Sequence, residues 1–565
     1  MNEEYKGVNL LELMFRLKSL NKIGIALSSE KDDTRLLELI LEEAKSISFA
    51  DGGTLFTRTD DDRLEFQIMM TDSINFYKGG SSGEPIPYRS LPIYNTKGQP
   101  NINTVAVCAA LTGETINLPD AYEDTRFELS GTVMFDRKMN YRSKSFLAVP
   151  LKNHDGEVLG VLQLINAINP KTGEITTFSH FDQELVESLA SQAAVALSNQ
   201  RLLEGQRRLF EGFIKLIAKA IDDKSKYTSG HCQRVPVLTM MLADAAAKIQ
   251  TGPLKNFSMD KEKRYELNVA GMLHDCGKIT VPEYVIDKET KLHTMHDRIS
   301  EIDTRFEVLK RDTEITLLQE KVETLLLGEK VEPDIVRAEL AQQIKSAHDM
   351  LNEERDFLRK ANVGGEFMKE EAQDRVRLIS EKHRWINPED ELIPLLTEEE
   401  IYNLTIPKGT LTKEERTVIN RHIDTTIAML ESLPYPKNLQ SVPEYAGGHH
   451  ECMDGRGYPK GLTRDQLSIP ARVMGIADIF EALTAQDRPY KKPMSLSVAL
   501  TILGKMKLDN HIDPDLFDVF IHEKVYLKYA YRYLSPDQID MDEESVKTIP
   551  GYNPLPEEDM DETST

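Results

Sequence analysis

The sequence is poor in positive charge: 69 Lys and Arg stand against 93 Asp and Glu, a formal balance of −24 over 565 residues. A protein that tracks a nucleic-acid polymer gains affinity by neutralising phosphates with a basic face, so that class of partner is excluded. A small anionic substrate is not, because bound metal ions reverse the field inside one pocket. Apolar runs are short; none approaches the roughly 18 residues needed to span a bilayer. The opening MNEEYKG lacks the basic-then-apolar layout of a secretory leader, and no membrane partner is expected. Four cysteines are too few for a disulfide framework in a chain of this length, which points to a reduced, cytoplasmic protein. Disorder is excluded as a general state by 40% hydrophobic and 29% charged residues. At roughly 150 residues per domain, the length suggests three or four folding units.

The organisation read from patterning is α+β. Residues 1–200 form a mixed α/β unit: Leu36, Leu37, Ile40, Leu41 and Ala44 follow helical spacing, and the polar stretch from Ser28 to Asp33 interrupts the helix. Asp51-Gly52-Gly53 reads as a turn, while Leu64–Met69, Ser145–Leu151 and Val158–Ile165 read as strands. The last two are joined by a hairpin signal at His154-Asp155-Gly156. A long helix without proline runs from Asp182 to Asp223. Along it Leu185, Leu189, Gln192, Ala196, Leu203, Phe210, Ile214, Ile217 and Ile221 recur near multiples of 3.5, which suggests a parallel dimer seam. The alternative is that the two halves of this helix pack on their own domains. Residues 201–535 form a second, helical domain containing a charged helical, coiled-coil-like insertion at about 295–406, broken near Val363-Gly364-Gly365. Thr412 opens a capping box after it, and the acidic, proline-containing tail at 536–565 reads as disordered.

The chemistry lies in the second domain. His-Asp pairs occur at His154-Asp155, His274-Asp275, His296-Asp297 and His348-Asp349; all but the second fall on polar turns or charged helix faces. His274-Asp275 ends an apolar helix (Leu267, Val269, Ala270, Leu273) and is followed by Gly277 and Lys278. His449-His450-Glu451 precedes the glycine-rich run Asp454-Gly455-Arg456-Gly457-Tyr458-Pro459. Adjacent histidines seldom serve a core, since each buried imidazole needs its own partner, whereas imidazole is the commonest metal ligand. His231, His422 on an apolar helix face, and Asp478 complete a set of five histidines and two aspartates.

On these residues, 206–535 without the insertion resembles an HD-GYP domain, the all-helical branch of the HD phosphohydrolases. The matching pieces are YTSGHCQRV (227–235), HDCGKITVP (274–282), KEERTVINRH (413–422), HHECMDGRGYPKGL (449–462) and IADIFEALTAQDRPYK (476–491). The resemblance implies metal-dependent hydrolysis of the bacterial second messenger cyclic di-GMP to the linear dinucleotide, with GMP if a second cut follows. It implies metal ligation by His231, His274, Asp275, His422, His449, His450 and Asp478. Lys278 would contact a phosphate, Arg488 would lie near the substrate, and Asp454, Gly457 and Tyr458 would position guanine and its phosphate. A second role for that loop is its own folding. Two adjacent divalent ions suit the reaction because they neutralise non-bridging phosphate oxygens and acidify water, and imidazole-rich, thiolate-free ligation suits iron, manganese or zinc. Three-metal members place a Glu four residues before the first histidine. Here that position is Tyr227, so two ions, iron or manganese, are expected and a third is not. Asp222 lies further upstream and reads as a surface or capping residue. Cys232, Cys276 and Cys452 adjoin the presumed ligands and read as small packing residues.

Residues 20–200 resemble a GAF domain, a small-molecule sensor fold, through residues 36–56, 145–166 and 181–197. The nucleotide-binding signature of such domains is only partly present, since Asn166 precedes Ala167 and Phe178 precedes Asp182-Gln183. No Cys or His cluster here suggests haem or an iron–sulfur centre; His180 is a lone donor. The whole reads as a cyclic di-GMP phosphodiesterase controlled by an unidentified ligand of its sensor. The rivals are hydrolysis of another cyclic dinucleotide and an inactive nucleotide-binding signalling module.

Overall fold

A computed structural model describes residues 10–30, 32–224, 230–328, 332–365, 367–486 and 493–554. The chain divides into two compact units, Met1–Phe210 and Glu211–Thr565.

The first unit begins with α1 (Leu10–Ser29) and α2 (Asp33–Ser48), separated at the polar break seen in the sequence. Asp32 caps α2 by accepting the Arg35 N–H at 2.9 Å. A wholly antiparallel sheet follows: β1 (Ala50–Arg58), β2 (Arg63–Thr71), β3 (Phe76–Gly79), β4 (Leu91–Pro92), β5 (Ile116–Leu118), β6 (Phe146–Lys152), β7 (Val158–Ile168) and β8 (Ile175–Thr176). Its spatial order is β3-β2-β1-β7-β6-β5, with β4 on β2 and β8 on β7. Between strands lie α3 (Val105–Thr112) and α4 (Ser130–Met139), and α5 (His180–Lys224) closes the unit. The strand period of two sorts the core. Leu55, Leu147, Val149, Leu162 and Leu164 join the apolar faces of α1, α2 and α5. Their neighbours Phe56, Phe146, Ala148 and Val161 pack with α3 on the other face. Asp51-Gly52-Gly53 is not a turn but part of β1. Its glycines answer to crowding, because a Cβ on Gly53 would stand 2.7 Å from Leu41 Cδ1 and 3.0 Å from Leu164 Cδ2.

Helix α5 is continuous over 45 residues. Of the seam expected along it, Leu185, Leu189, Ile214 and Ile221 are buried, Gln192, Ala196 and Phe210 are half-buried, and Leu203 and Ile217 are exposed. A different line is exposed, Val195, Leu202, Leu209 and Leu216, spaced by seven.

The second unit contains α6 (His231–Ala246), α7 (Lys261–Leu273) and α8 (Glu283–Ile286) before the insertion. After it come α13 (Lys413–Asn420), α14 (His422–Glu431), α15 (Val442–Gly447), α16 (Ile469–Thr484), α17 (Leu496–Leu508), α18 (Pro514–His522) and α19 (Val525–Tyr533). The capping box at Thr412 and Glu415 is formed. The insertion comprises α9 (Ile299–Leu326), α10 (Pro333–Asn362), α11 (Glu370–Lys382), the hairpin of β9 (Arg384–Ile386) and β10 (Leu392–Pro394), and α12 (Glu398–Leu404). It has a core of its own, in which Ile302, Phe306 and Leu309 meet Leu351, Leu358, Val376, Ile379 and Leu404. The distal half of the same stripe, Ile315, Leu318, Val322 and Leu325, is exposed.

The expectation of a disordered tail fails for residues 536–554. Gln538 Nε2 donates to the carbonyls of Thr484 and Met494, each at 3.0 Å, and Val546 and Ile549 are buried. A few well-placed apolar and amide groups dock a segment whose average composition is polar. Residues 555–565 lie outside the described residues.

Candidate metal centre

Five helices carry the cluster. His231 opens α6, His274 follows α7, His422 opens α14, His449 and His450 follow α15, and Asp478 lies within α16. His422 was expected on the face of a helix running on from Lys413; that helix breaks at Arg421, and His422 starts the next one. Helix ends suit the task because a terminal residue reaches across the bundle without crossing its own backbone. The imidazole centroids of His231 and His274 are 5.3 Å apart, those of His274 and His449 4.9 Å, and those of His449 and His450 4.2 Å.

Three imidazoles are oriented alike. Nδ1 of His274, His422 and His449 meets the carbonyl oxygen three residues earlier, of Gly271, Ile419 and Ala446, at 2.7, 2.6 and 2.6 Å. An N–H donated there leaves Nε2 with its lone pair turned inward, the arrangement metal-ligating histidines adopt. The Nε2 atoms of all three are buried without a hydrogen-bond partner, as is Asp275 Oδ1. Buried polar atoms left unpaired cost stability unless something else is meant to meet them. Three groups of donors lie within 4.8 Å of one another: His231-His274-Asp478, His274-Asp275-His449 and His422-His449-His450. Asp275 faces two ways. Its Oδ1 is 3.1 Å from His422 Nε2, while Oδ2 is 3.4 Å from His274 Nε2 and 3.6 Å from His231 Nε2. The donor set could therefore hold metal ions, and Asp275 presents one oxygen toward His422 and the other toward His231 and His274.

Burial works against charge at each of these groups, and the neighbours decide the outcome. Lys278 and His274 hold Asp275 well below the usual carboxylate range, and His231 and His274 do the same for Asp478. Those carboxylates raise His274 to about 9, and Glu481 and the aspartates raise His231 well above its ordinary value. On the other side burial and neighbouring imidazoles push His449 far down, and burial brings His450 to about 4. Burial also raises Cys232, Cys276 and Cys452, so these thiols are inert packing groups.

Lys278 Nζ donates to Asp275 Oδ2 at 2.5 Å, and its side chain is partly exposed. Tyr458 stacks on His450 at 4.9 Å and 23°. Gly457 is required by close approach, since a Cβ there would lie 2.3 Å from the Cys452 nitrogen. Asp454 is exposed and engaged in its own loop, accepting from Arg456 N at 3.1 Å and Arg456 Nε at 2.6 Å. Arg488 and Tyr227 lie outside the described residues. Asp222 is buried rather than on the surface, and accepts the Cys232 N–H at 3.0 Å near the start of α6. The pairs His154-Asp155, His296-Asp297 and His348-Asp349 do not join the cluster.

Two residues were missed. Glu481 is buried and bonds His231 Nδ1 with one oxygen and Arg234 Nε with the other at 2.6 Å. Its signal was present, because it follows Asp478 by three and shares that helix face. Glu451 accepts the N–H groups of Lys460 and Leu462 at 2.8 and 2.9 Å and so holds the glycine-rich loop shut against the cluster.

The fold defines an α/β unit followed by a mostly helical unit that carries the cluster, and two family models match the chain. The chain carries a GAF domain, matched over residues 32–197, and an HD domain, matched over residues 397–516. The HD match begins beyond most of the insertion, so His231, His274 and Asp275 fall outside it. Over 113 residues the chain is 37% identical to a 3'3'-cGAMP-specific phosphodiesterase of Vibrio cholerae, covering 20% of this chain and 25% of that protein. It is 34% identical over 142 residues to a probable cyclic di-GMP phosphodiesterase of the same organism, covering 23% and 31%. A cyclic di-GMP phosphodiesterase of Pseudomonas aeruginosa is 34% identical over 113 residues, covering 20% and 26%. The chain thus spans a quarter to a third of the length of these relatives.

Proposed function

We propose that this protein is a cytoplasmic metal-dependent phosphodiesterase that opens cyclic di-GMP to the linear dinucleotide, using two divalent ions, iron or manganese, under control of its GAF unit. The observation that carries the reading is the convergence of His231, His274, Asp275, His422, His449, His450 and Asp478 with three inward Nε2 atoms unpaired. When bound, such ions supply charge neutralisation for the phosphate and acidify water. The chain's own part is orientation and charge. The carbonyls behind His274, His422 and His449, and Glu481 behind His231, fix the rings before substrate arrives. Lys278 offers its ammonium to a phosphate oxygen, while Glu451 and Tyr458 hold the loop that would border the nucleobase. All four cysteines are free, which accords with a reducing compartment.

Relatives are named for both cyclic di-GMP and 3'3'-cGAMP, so the test pairs the two substrates. Protein purified without oxygen is analysed for metal, and turnover of both dinucleotides is measured in the same sample. About two ions per chain with preferential cleavage of cyclic di-GMP supports the proposal; preference for 3'3'-cGAMP reassigns the substrate. His274→Ala and Asp275→Ala should retain the fold and lose turnover. Metal-replete protein that cleaves neither substrate favours the signalling-module alternative. A dimer is also proposed, along Val195, Leu202, Leu209 and Leu216, whose seven-residue repeat and exposure suit a second copy of α5.

A further inference from the structure

Within the second unit, α5 ends with one face turned inward: Ile214, Ala218, Ile221 and Asp222 are all buried. The first three follow the spacing of a helix face that meets a core. A carboxylate at the end of such a face needs donors, and Asp222 finds them on the next helix. It accepts the Cys232 N–H at 3.0 Å and also bonds the Cys232 side chain.

That contact completes the start of α6. The first N–H groups of a helix have no partner within it, and a side chain at the N-cap commonly supplies one. Here the N-cap is Gly230, which has no side chain to offer. Asp222 does this work from the preceding helix. The first residue of α6 is His231, so the turn that Asp222 caps is the one that aims His231 Nε2 at Asp478 Oδ1, 3.1 Å away.

Lys224, the last residue of α5, acts in the same way at the opposite kind of helix end. Its Nζ donates to the Ile279 carbonyl, near the close of the 3₁₀ turn Cys276–Thr280. Carbonyls at the end of a turn lack partners and carry partial negative charge, which a lysine answers well. This turn starts directly after Asp275 and carries Lys278.

We infer that the last turn of α5 positions the cluster from behind: Asp222 fixes His231 by capping α6, and Lys224 fixes Lys278 by capping the turn Cys276–Thr280. Both are positioning residues, and neither belongs to the donor groups themselves. Because they stand on one turn, rotation or fraying at the end of α5 alters both together, and movement of that helix reaches the site here. The role of Lys224 toward substrate rests on the phosphodiesterase reading; that of Asp222 rests only on the place of His231 among the donors.

The full chain is compared with Asp222→Leu, Asp222→Asn, Lys224→Met and Lys224→Arg, with Lys219→Met on the exposed face of α5 as control. Hydrogen exchange is followed in chelator, manganese affinity by equilibrium dialysis, and cyclic di-GMP turnover on manganese-loaded protein. Asp222→Leu should speed exchange at residues 231–235 and weaken manganese binding about tenfold or more, the usual result of removing support behind a ligand. Asp222→Asn keeps an oxygen acceptor for the Cys232 N–H and should restore most of both. Lys224→Met should speed exchange at residues 278–281 and raise KM several-fold with kcat and manganese affinity little changed, the mark of lost substrate binding. Lys224→Arg should restore KM, and Lys219→Met should match wild type. Lys224→Met, at a half-buried position, tests the same turn if Asp222→Leu does not fold. Wild-type exchange and manganese affinity in Asp222→Leu, or wild-type exchange and KM in Lys224→Met, overturns the inference. So does a loss of protection spread evenly over the second unit in Lys224→Met, which would mark a purely structural contact. Wild-type protein that binds manganese but cleaves no cyclic di-GMP sinks the proposed reaction instead, and exchange and manganese affinity still decide the role of α5.

Discussion

Gly277 packs the His274-Asp275 segment against the helix that begins at His422, and a single methyl group there measures how tightly the two parts of the His/Asp cluster are coupled. The residue follows His274 and Asp275 and lies against the start of α14. A Cβ at position 277 would stand 2.0 Å from the His422 carbonyl oxygen, 2.6 Å from Thr426 N and 2.8 Å from Thr426 Oγ1. Ordinary contact begins at 3.4 Å, so the backbone at His422 must retreat by 3.4 − 2.0 = 1.4 Å. That movement acts on His422 itself, whose Nε2 is 3.1 Å from Asp275 Oδ1, and it strains the 2.9 Å bond from Gly277 N to Thr426 Oγ1. Overpacking of this kind costs about 1–3 kcal/mol of stability. A displacement near 1 Å at a reacting site costs about a hundredfold in rate. Gly277→Ala should therefore stay folded by circular dichroism, melt earlier, bind less metal per chain and cleave cyclic di-GMP about a hundredfold more slowly. Gly212→Ala is the control, because nothing lies within 4 Å of its added Cβ on α5. It should keep full activity and gain about 0.5–1 kcal/mol of helix stability. Wild-type metal content and turnover in Gly277→Ala would refute the coupling.

Glu481→Gln should keep the fold but lower metal affinity about 10- to 100-fold, the usual cost of removing a group that orients a ligand, read by equilibrium dialysis with manganese. Unchanged affinity would mean that Glu481 serves packing alone. In the first unit, burial opposes ionisation of Glu38, but donors from Ser81, Tyr77 and Arg35 bring it from 4.5 to about 2. A depressed carboxyl stabilises the fold above its unfolded value, so this contribution, on the order of 3 kcal/mol, is complete above about pH 4.5 and lost as pH falls toward 2. Hydrogen exchange in α2 should accelerate across that window, and Glu38→Gln should flatten the change. Leu202→Glu/Leu209→Glu should convert a dimer to monomer in sedimentation without lowering the stability of either unit, since both side chains are more than half exposed; a wild-type monomer would end the dimer proposal.

The residues of the cluster were legible because their chemistry is rare at such spacings. Adjacent His449 and His450, or His274-Asp275 at the end of an apolar helix, have few uses in a core. Glu481 was harder to read, since a glutamate on a helix is common and only its approach to His231 gives it a role. The α5 stripe shows the limit of periodicity. Leu185 and Leu189 repeat as a dimer seam would, but the sheet covers them first, and Val195, Leu202, Leu209 and Leu216 are left outside. Composition misjudged residues 536–554, where two buried apolar side chains and one amide outweigh a polar average.

Local order in the chain set the alternation of β6 and β7, the helix starts at Asp32 and Thr412 and the choice of imidazole and carboxylate as donors, because each depends on neighbours a few positions away. Which imidazole nitrogen faces inward and which carboxylate stands behind His231 were settled by packing between segments far apart in sequence. Burial and hydrogen-bond partners exist only once the helices have met, and the tautomers and charges at the site follow from them.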